Sequence, residues 1–266
     1  MRTRIITALA LAAVVLAVLL LGPSWMARAL FGLFIAAGAW EWSAFLSAAP
    51  HAMRLGFVVL VAALAIAARV WLADGAAFLL LMEVCIAWWL VALAWLLLWP
   101  QRSGTLPVAV SGLLALVPTW VALTRMLETW PRGAQWALFV MALAFAADTG
   151  AYFAGRFLGR VKLAPQISPG KTWEGVFGGL LLAMAVAFAG GRWFGVPLGS
   201  FMPLCLAAAA FSVVGDLTES MFKRASGLKD SGRLFPGHGG VLDRIDSVLA
   251  ATPVICTGLT WMGVAA

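Results

Sequence analysis

Between Lys223 and Asp246 the chain reads KRASGLKDSGRLFPGHGGVLDRID. This segment holds five of the 18 Lys and Arg, three of the 11 Asp and Glu and one of the two His. Five glycines and Pro236 rule out a regular helix from about 226 to 239 and let backbone come close to a ligand. Lys229, Arg233 and His238 are cations or donors in that loop, and Gly239 and Gly240 close it. Asp243 and Asp246 then fall at i and i+3 on the start of a helix, with Arg244 between them. Carboxylates there are ordinary partners for a helix dipole, and they are also oxygen ligands suited to a hard cation. Upstream, Asp216, Glu219, Ser220 and Lys223 lie at i, i+3, i+4 and i+7, one polar stripe on an apolar helix. Glu219 and Lys223 have the spacing of an intrahelical ion pair; Asp216 has no such cation in its helix and is free for a metal or another helix. Carboxylates, several cations and a glycine loop together suit phosphoryl or nucleotidyl transfer, which is mostly positioning and charge neutralisation.

Two further clusters precede it. Asp148 lies inside an apolar run, where an ionisable side chain costs a few kcal/mol and a functional role is the first hypothesis; the plainer one is a packing partner for a nearby Arg. Tyr152, the only tyrosine, and Arg156 follow at i+4 and i+8 on the same face. In ISPGKTWEG, Ser168-Pro169-Gly170 reads as a turn opening a helix, with Lys171, Thr172 and Glu174 at or near its first turn. Such a start is either an anion site, with Lys171 as a point charge for phosphate, or an ordinary capped helix. The glycine run of a Walker P-loop is absent.

The elements that carry these residues are apolar. Of 266 residues, 64% are hydrophobic and 11% charged, far from soluble-domain usage. Runs of about 20 apolar residues recur from end to end, each able to cross a bilayer core. The expectation is an all-α, polytopic helical membrane protein of about nine transmembrane helices, or eight if the first is cleaved as a signal peptide. The spans fall at roughly 5–22, 26–48, 55–73, 76–99, 106–126, 134–155, 174–194, 201–222 and 241–264. With the N-terminus inside, 13 of the 18 Lys and Arg lie on the cytoplasmic side. The two richest polar segments, 156–173 and 223–244, are two spans apart and so share that side. Residues 1–130 are expected to give packing helices with room for dimer contacts, and 131–266 a catalytic region. The net charge of +7 is read as headgroup and loop charge, not as a nucleic-acid surface. Cys85, Cys205 and Cys256 sit in apolar runs without metal-ligand spacing.

The polar segments together resemble the phosphatidate cytidylyltransferase (CDP-diacylglycerol synthase) family. Its signature is met without a gap by Ser220, Phe222, Lys223, Arg224, Lys229, Asp230, Gly232, Pro236, His238, Gly239, Gly240, Val241, Asp243, Arg244, Ile245 and Asp246. DTGAYFAGRFLGR and SPGKTWEG look like the family's upstream motifs, in order. The resemblance implies transfer of CMP from CTP to phosphatidic acid, with Mg²⁺ and a monovalent cation such as K⁺, at an inner-membrane site facing the cytoplasm. It implies Asp216, Asp243 and Asp246 as metal ligands. Lys171, Lys223, Arg224, Lys229 and Arg233 would neutralise phosphates, His238 would donate to phosphate or cap the glycine turn, and Asp148 would brace the site or a metal. Ser168, Glu174, Tyr152, Gly239, Gly240 and Arg244 complete the expected substrate contacts. The alternatives are a cytidylyltransferase for another lipid phosphate and, in a different class, an ion-coupled transporter.

Overall fold

The computed structural model describes residues 2–46, 50–72, 74–100, 104–232, 234 and 239–264. Among them are nine α-helices: α1 (Arg2–Leu21), α2 (Ser24–Trp42), α3 (His51–Trp71), α4 (Gly75–Leu98), α5 (Thr105–Thr129), α6 (Gly133–Leu158), α7 (Trp173–Phe194), α8 (Leu198–Ala225) and α9 (Leu242–Trp261). They match the nine expected spans to within a few residues. Six of them, α3 to α8, are long and apolar enough to cross a membrane. The chain is therefore an all-α polytopic membrane protein. The buried hydroxyls of Thr119, Thr124, Ser212 and Thr252 donate to carbonyls three or four residues back, which satisfies them inside an apolar surround.

One short sheet interrupts the helices. Strands β1 (Lys162–Ala164) and β2 (Ser168–Thr172) pair antiparallel, Lys162 opposite Thr172 and Ala164 opposite Ser168. The expected helix-opening turn at Ser168-Pro169-Gly170 is thus a strand, and Lys171 sits on that strand, before the helix. Residue 172 is where the backbone changes: Thr172 is extended, and its Oγ1 accepts from Gly175 N at 3.1 Å as the N-cap of α7.

The chain forms two compact units that interleave in sequence. The first comprises residues 1–81, 103–138 and 222–245, so the signature segment from Phe222 to Ile245 clusters with the N-terminal helices, while Ser220 and Asp246 belong to the second. Its core is built around α2, α3 and α5. Trp42 Nε1 donates to Val108 O at 2.8 Å, and Gly112 on α5 leaves room for the indole, whose Nε1 lies 2.7 Å from where a Cβ would stand. At the far end of α2, Arg28 and Arg69 both pair with Glu128.

The second unit comprises residues 82–102, 139–221 and 246–266. Helices α6 and α7 meet there along a seam of small residues. A Cβ on Gly150 would stand 2.5 Å from Gly178 O, one on Gly175 2.9 Å from Ala151 O, and one on Gly179 2.5 Å from Ala147 O. Backbones that close gain packing without any hydrophobic drive between lipid-solvated helices. The start of α9 reaches α8 the same way, since a Cβ on Gly215 would stand 2.5 Å from Asp246 O.

Candidate active site

The α6–α7 seam forms a wall of a cavity of about 540 Å³ in the second unit. Polar groups enter it from three elements. Asp148, Tyr152 and Arg156 come from α6, Ser168 and Lys171 from β2, and Asp216 from α8; Val176, Leu180 and Val213 supply apolar lining. Lys171 pairs with Asp216, whose Oδ1 also accepts from Ser220 Oγ at 3.4 Å. Asp216, expected to be free for a metal or another helix, is here paired with a cation carried on strand β2. Arg156 Nη1 donates to Tyr152 OH at 2.7 Å, so the i, i+4 spacing joins these two directly. Asp148 Oδ1 accepts from Ser247 Oγ at 3.0 Å, which ties α6 to α9. One cavity thus presents two carboxylates, an ammonium, a guanidinium, a phenol and a serine.

Glu174 does a different job. Its carboxylate accepts from the backbone N–H of Arg160 and Val161 at 3.1 to 3.2 Å and clasps the start of the hairpin to α7; it is not among the cavity-lining residues. The clasp and the Thr172 cap both secure the Thr172 end of strand β2, because Lys162 pairs with Thr172, and Lys171 is the residue just before that anchored end.

The signature segment, in the first unit, is organised by two carboxylates. Asp243 accepts from Lys223 Nζ at 2.6 Å, from Ser231 N at 3.1 Å and from Gly240 N at 2.8 Å. Lys223, whose spacing pointed to Glu219 within α8, thus reaches the start of α9. The second carboxylate is Glu41, 5% exposed at the end of α2. It accepts from Val241 N at 3.1 Å, Leu242 N at 2.7 Å and Ser231 Oγ at 3.0 Å. Ser231 Oγ in turn accepts from Asp243 N at 3.3 Å. Three amides that open α9 therefore end on Glu41 and Ser231. In the sequence Glu41 is one isolated acid among several, although an ionisable residue in an apolar run is the signal that singled out Asp148.

The glycines of the segment have internal reasons. A Cβ on Gly232 or Gly240 would overlap the Glu41 carboxylate, and Gly239 has φ +82 with Asp243 Oδ2 2.6 Å from where its Cβ would stand. Gly240 N points to the chain's own Asp243. Arg224, Lys229 and Arg244 are exposed, with Arg224 Nη1 3.3 Å from Leu228 O. Arg233 and His238 lie outside the described residues.

The three expected metal ligands each have a protein partner: Asp216 has Lys171, Asp243 has Lys223, and Asp246, 7% exposed, accepts from Ser247 N at 2.7 Å. Among the described residues no three His, Cys, Asp or Glu side chains are grouped to hold a metal. The cavity fits Mg²⁺ in its other usual setting, where one or two carboxylates bind and phosphate oxygens and water complete the octahedron. Asp216 and Asp148 are the carboxylates that line it.

Comparison with known proteins points to one family. The model of the cytidylyltransferase family matches residues 2–261. A phosphatidate cytidylyltransferase of Pseudomonas aeruginosa is 43% identical over 272 residues, covering 98% of this chain and 97% of its own. One of Haemophilus influenzae is 38% identical over 285 residues, covering 95% and 96%. One of Brucella suis is 48% identical over 133 residues, covering 47% of each chain.

Proposed function

The chain belongs to the cytidylyltransferase family, and from that premise we propose that it transfers CMP from CTP to phosphatidic acid, giving CDP-diacylglycerol and pyrophosphate. The observation that carries this reading is the cavity in which Lys171, Arg156, Asp216 and Asp148 converge beneath apolar helix walls. It offers cations to phosphates and lies in a chain built for lipid surroundings.

The phosphate oxygen of phosphatidic acid attacks the α-phosphorus of CTP. A P–O bond forms there as the bond to the β-phosphate bridge oxygen breaks, and pyrophosphate leaves with that electron pair. The nucleophile is already anionic, so no side chain need remove a proton. The barrier is the approach of two anions, which fixed positive groups lower. Lys171 gives up its contact with Asp216 to bind phosphate oxygen, and Arg156, oriented by Tyr152, offers a planar fork to a second phosphate. Ser168 donates a hydrogen bond from the strand. Asp216 and Asp148 would hold Mg²⁺, which when bound neutralises triphosphate charge and activates the pyrophosphate leaving group. On the family resemblance Asp243, Asp246, Lys223 and His238 are also needed, and a monovalent cation such as K⁺ is a further expected cofactor. The excess of Lys and Arg on one side supports an inner-membrane orientation with the polar segments toward the cytoplasm.

The test is direct. Purified protein in detergent is given CTP labelled at the α-phosphate, phosphatidic acid and Mg²⁺. Label should move into the lipid fraction with one pyrophosphate released per lipid; absence of both would overturn the reading.

A further inference from the structure

We infer that Glu41, on the N-terminal helix α2, is a positioning residue for the transfer reaction: its carboxylate fixes the start of α9 and so the orientation of Asp243. This rests on the cytidylyltransferase reading, and adds to it a residue outside every motif that suggested it.

Glu41 is buried and satisfied by three donors, Val241 N, Leu242 N and Ser231 Oγ, about 200 residues away in sequence. Amides at a helix start are open donors that favour a negative charge, so a carboxylate is the apt partner there. The bonds tie Ser231, inside the glycine loop, to Val241 and Leu242 just beyond its end. The same Ser231 and the neighbouring Gly240 present their N–H groups to Asp243. A shift of Glu41 is therefore felt at the Asp243 carboxylate through one intervening residue.

Glu41 is itself held firmly. Next to it Trp42 packs edge-on against Phe222, ring centroids 5.7 Å apart, and is pinned by its bond to Val108 O. On the other side Arg54 stacks 4.2 Å from the Trp40 ring, with Nη2 2.9 Å from Trp40 O and Nε 3.0 Å from Ser43 Oγ. Ser226 Oγ donates to Phe45 O at 3.2 Å, a second tie between this end of α2 and the signature segment. The loop has yielded space in return: Gly232 and Gly240 are the two positions where a Cβ would run into the Glu41 carboxylate.

The experiment uses the full-length chain in detergent and four proteins: wild type, Glu41→Ala, Glu41→Gln and Gly232→Ala, with the double variant Glu41→Ala/Gly232→Ala to close a cycle. Displacement of a reacting group by about 1 Å costs on the order of a hundredfold, so Glu41→Ala should lower kcat by about that factor with KM for CTP little changed. Glu41→Gln keeps one of the two acceptor oxygens and turns an NH2 toward the donor on the other, so it should recover part of that loss. Thermal melting needs no assay: Gly232→Ala should lower Tm in the wild-type background and far less in the Glu41→Ala background, because the colliding group is gone. Wild-type kcat in Glu41→Ala, failure of Glu41→Gln to recover any of the loss, or an equal Gly232→Ala effect in both backgrounds would overturn the assignment. An inactive wild-type chain would instead overturn the functional reading, while the melting cycle would still decide whether Glu41 holds the loop.

Discussion

Lys223 Nζ lies 2.6 Å from Asp243 Oδ1, with each side chain about 10% exposed. The pair joins the last turn of α8 to the first turn of α9 across the glycine loop. A buried ion pair is costly to break on one side only, since the remaining charge stays desolvated.

Asp243→Ala should therefore abolish turnover and also lower stability by about 3–5 kcal/mol, the usual cost of orphaning a buried charge. Lys223→Met combined with Asp243→Leu should be less destabilising than Asp243→Leu alone, though Ser231 N and Gly240 N still lose their acceptor, while remaining inactive. Thermal melting in detergent beside the lipid-transfer assay reads both effects.

Asp216 is paired with Lys171, which in the proposed reaction turns to phosphate. Asp216→Asn should leave the fold intact and abolish transfer, and Lys171→Ala should raise KM for CTP or phosphatidic acid. Chelation by EDTA should silence the wild-type enzyme, and added Mg²⁺ should restore it. Full activity in Asp216→Asn would remove that residue from the cation site.

The α6–α7 seam should not tolerate volume. Gly179→Val places branched carbons against Ala147 O and should cost about 1–3 kcal/mol by overpacking. Because the same seam walls the cavity, kcat/KM should fall with Tm. An unchanged melt would mean that the two helices part more easily than their spacing suggests.

Thr172→Ala removes the cap of α7 and should cost about 1 kcal/mol. Thr172→Ser keeps the acceptor oxygen and should retain nearly all the stability. Activity in the alanine variant should fall further than Tm alone would indicate, because Lys171 precedes the cap on β2.

The helices were legible in the sequence because length and apolarity are local properties, and each predicted span contains one helix. Asp148, Tyr152 and Arg156 were legible for the same reason, their spacing being a property of one helix. The hairpin was not. Its strands are three and five residues long, and Pro169 and Gly170 carry the marks of a turn. Lys171 was placed at a helix start because nothing local distinguishes a short strand from a cap. Glu41 escaped because its partners lie 190 to 201 residues away, and no spacing rule reaches that far. The glycines of the signature segment drew attention as places for a ligand; Gly232 and Gly240 are small because a side chain of the chain itself lies there.

The two-stranded hairpin has a bearing on where the lipid is used. Among the described residues its outer backbone edges have no partner strand. Hydrocarbon would leave such edges unsolvated, so β1 and β2 must stand at a level that water reaches. The pair works as a depth gauge drawn on the molecule. Lys171 is carried on that gauge and lines the cavity, so its ammonium stands where water reaches. For the reaction proposed above, a lipid whose phosphate met Lys171 at such a wet level would leave its chains free to stay in the apolar layer.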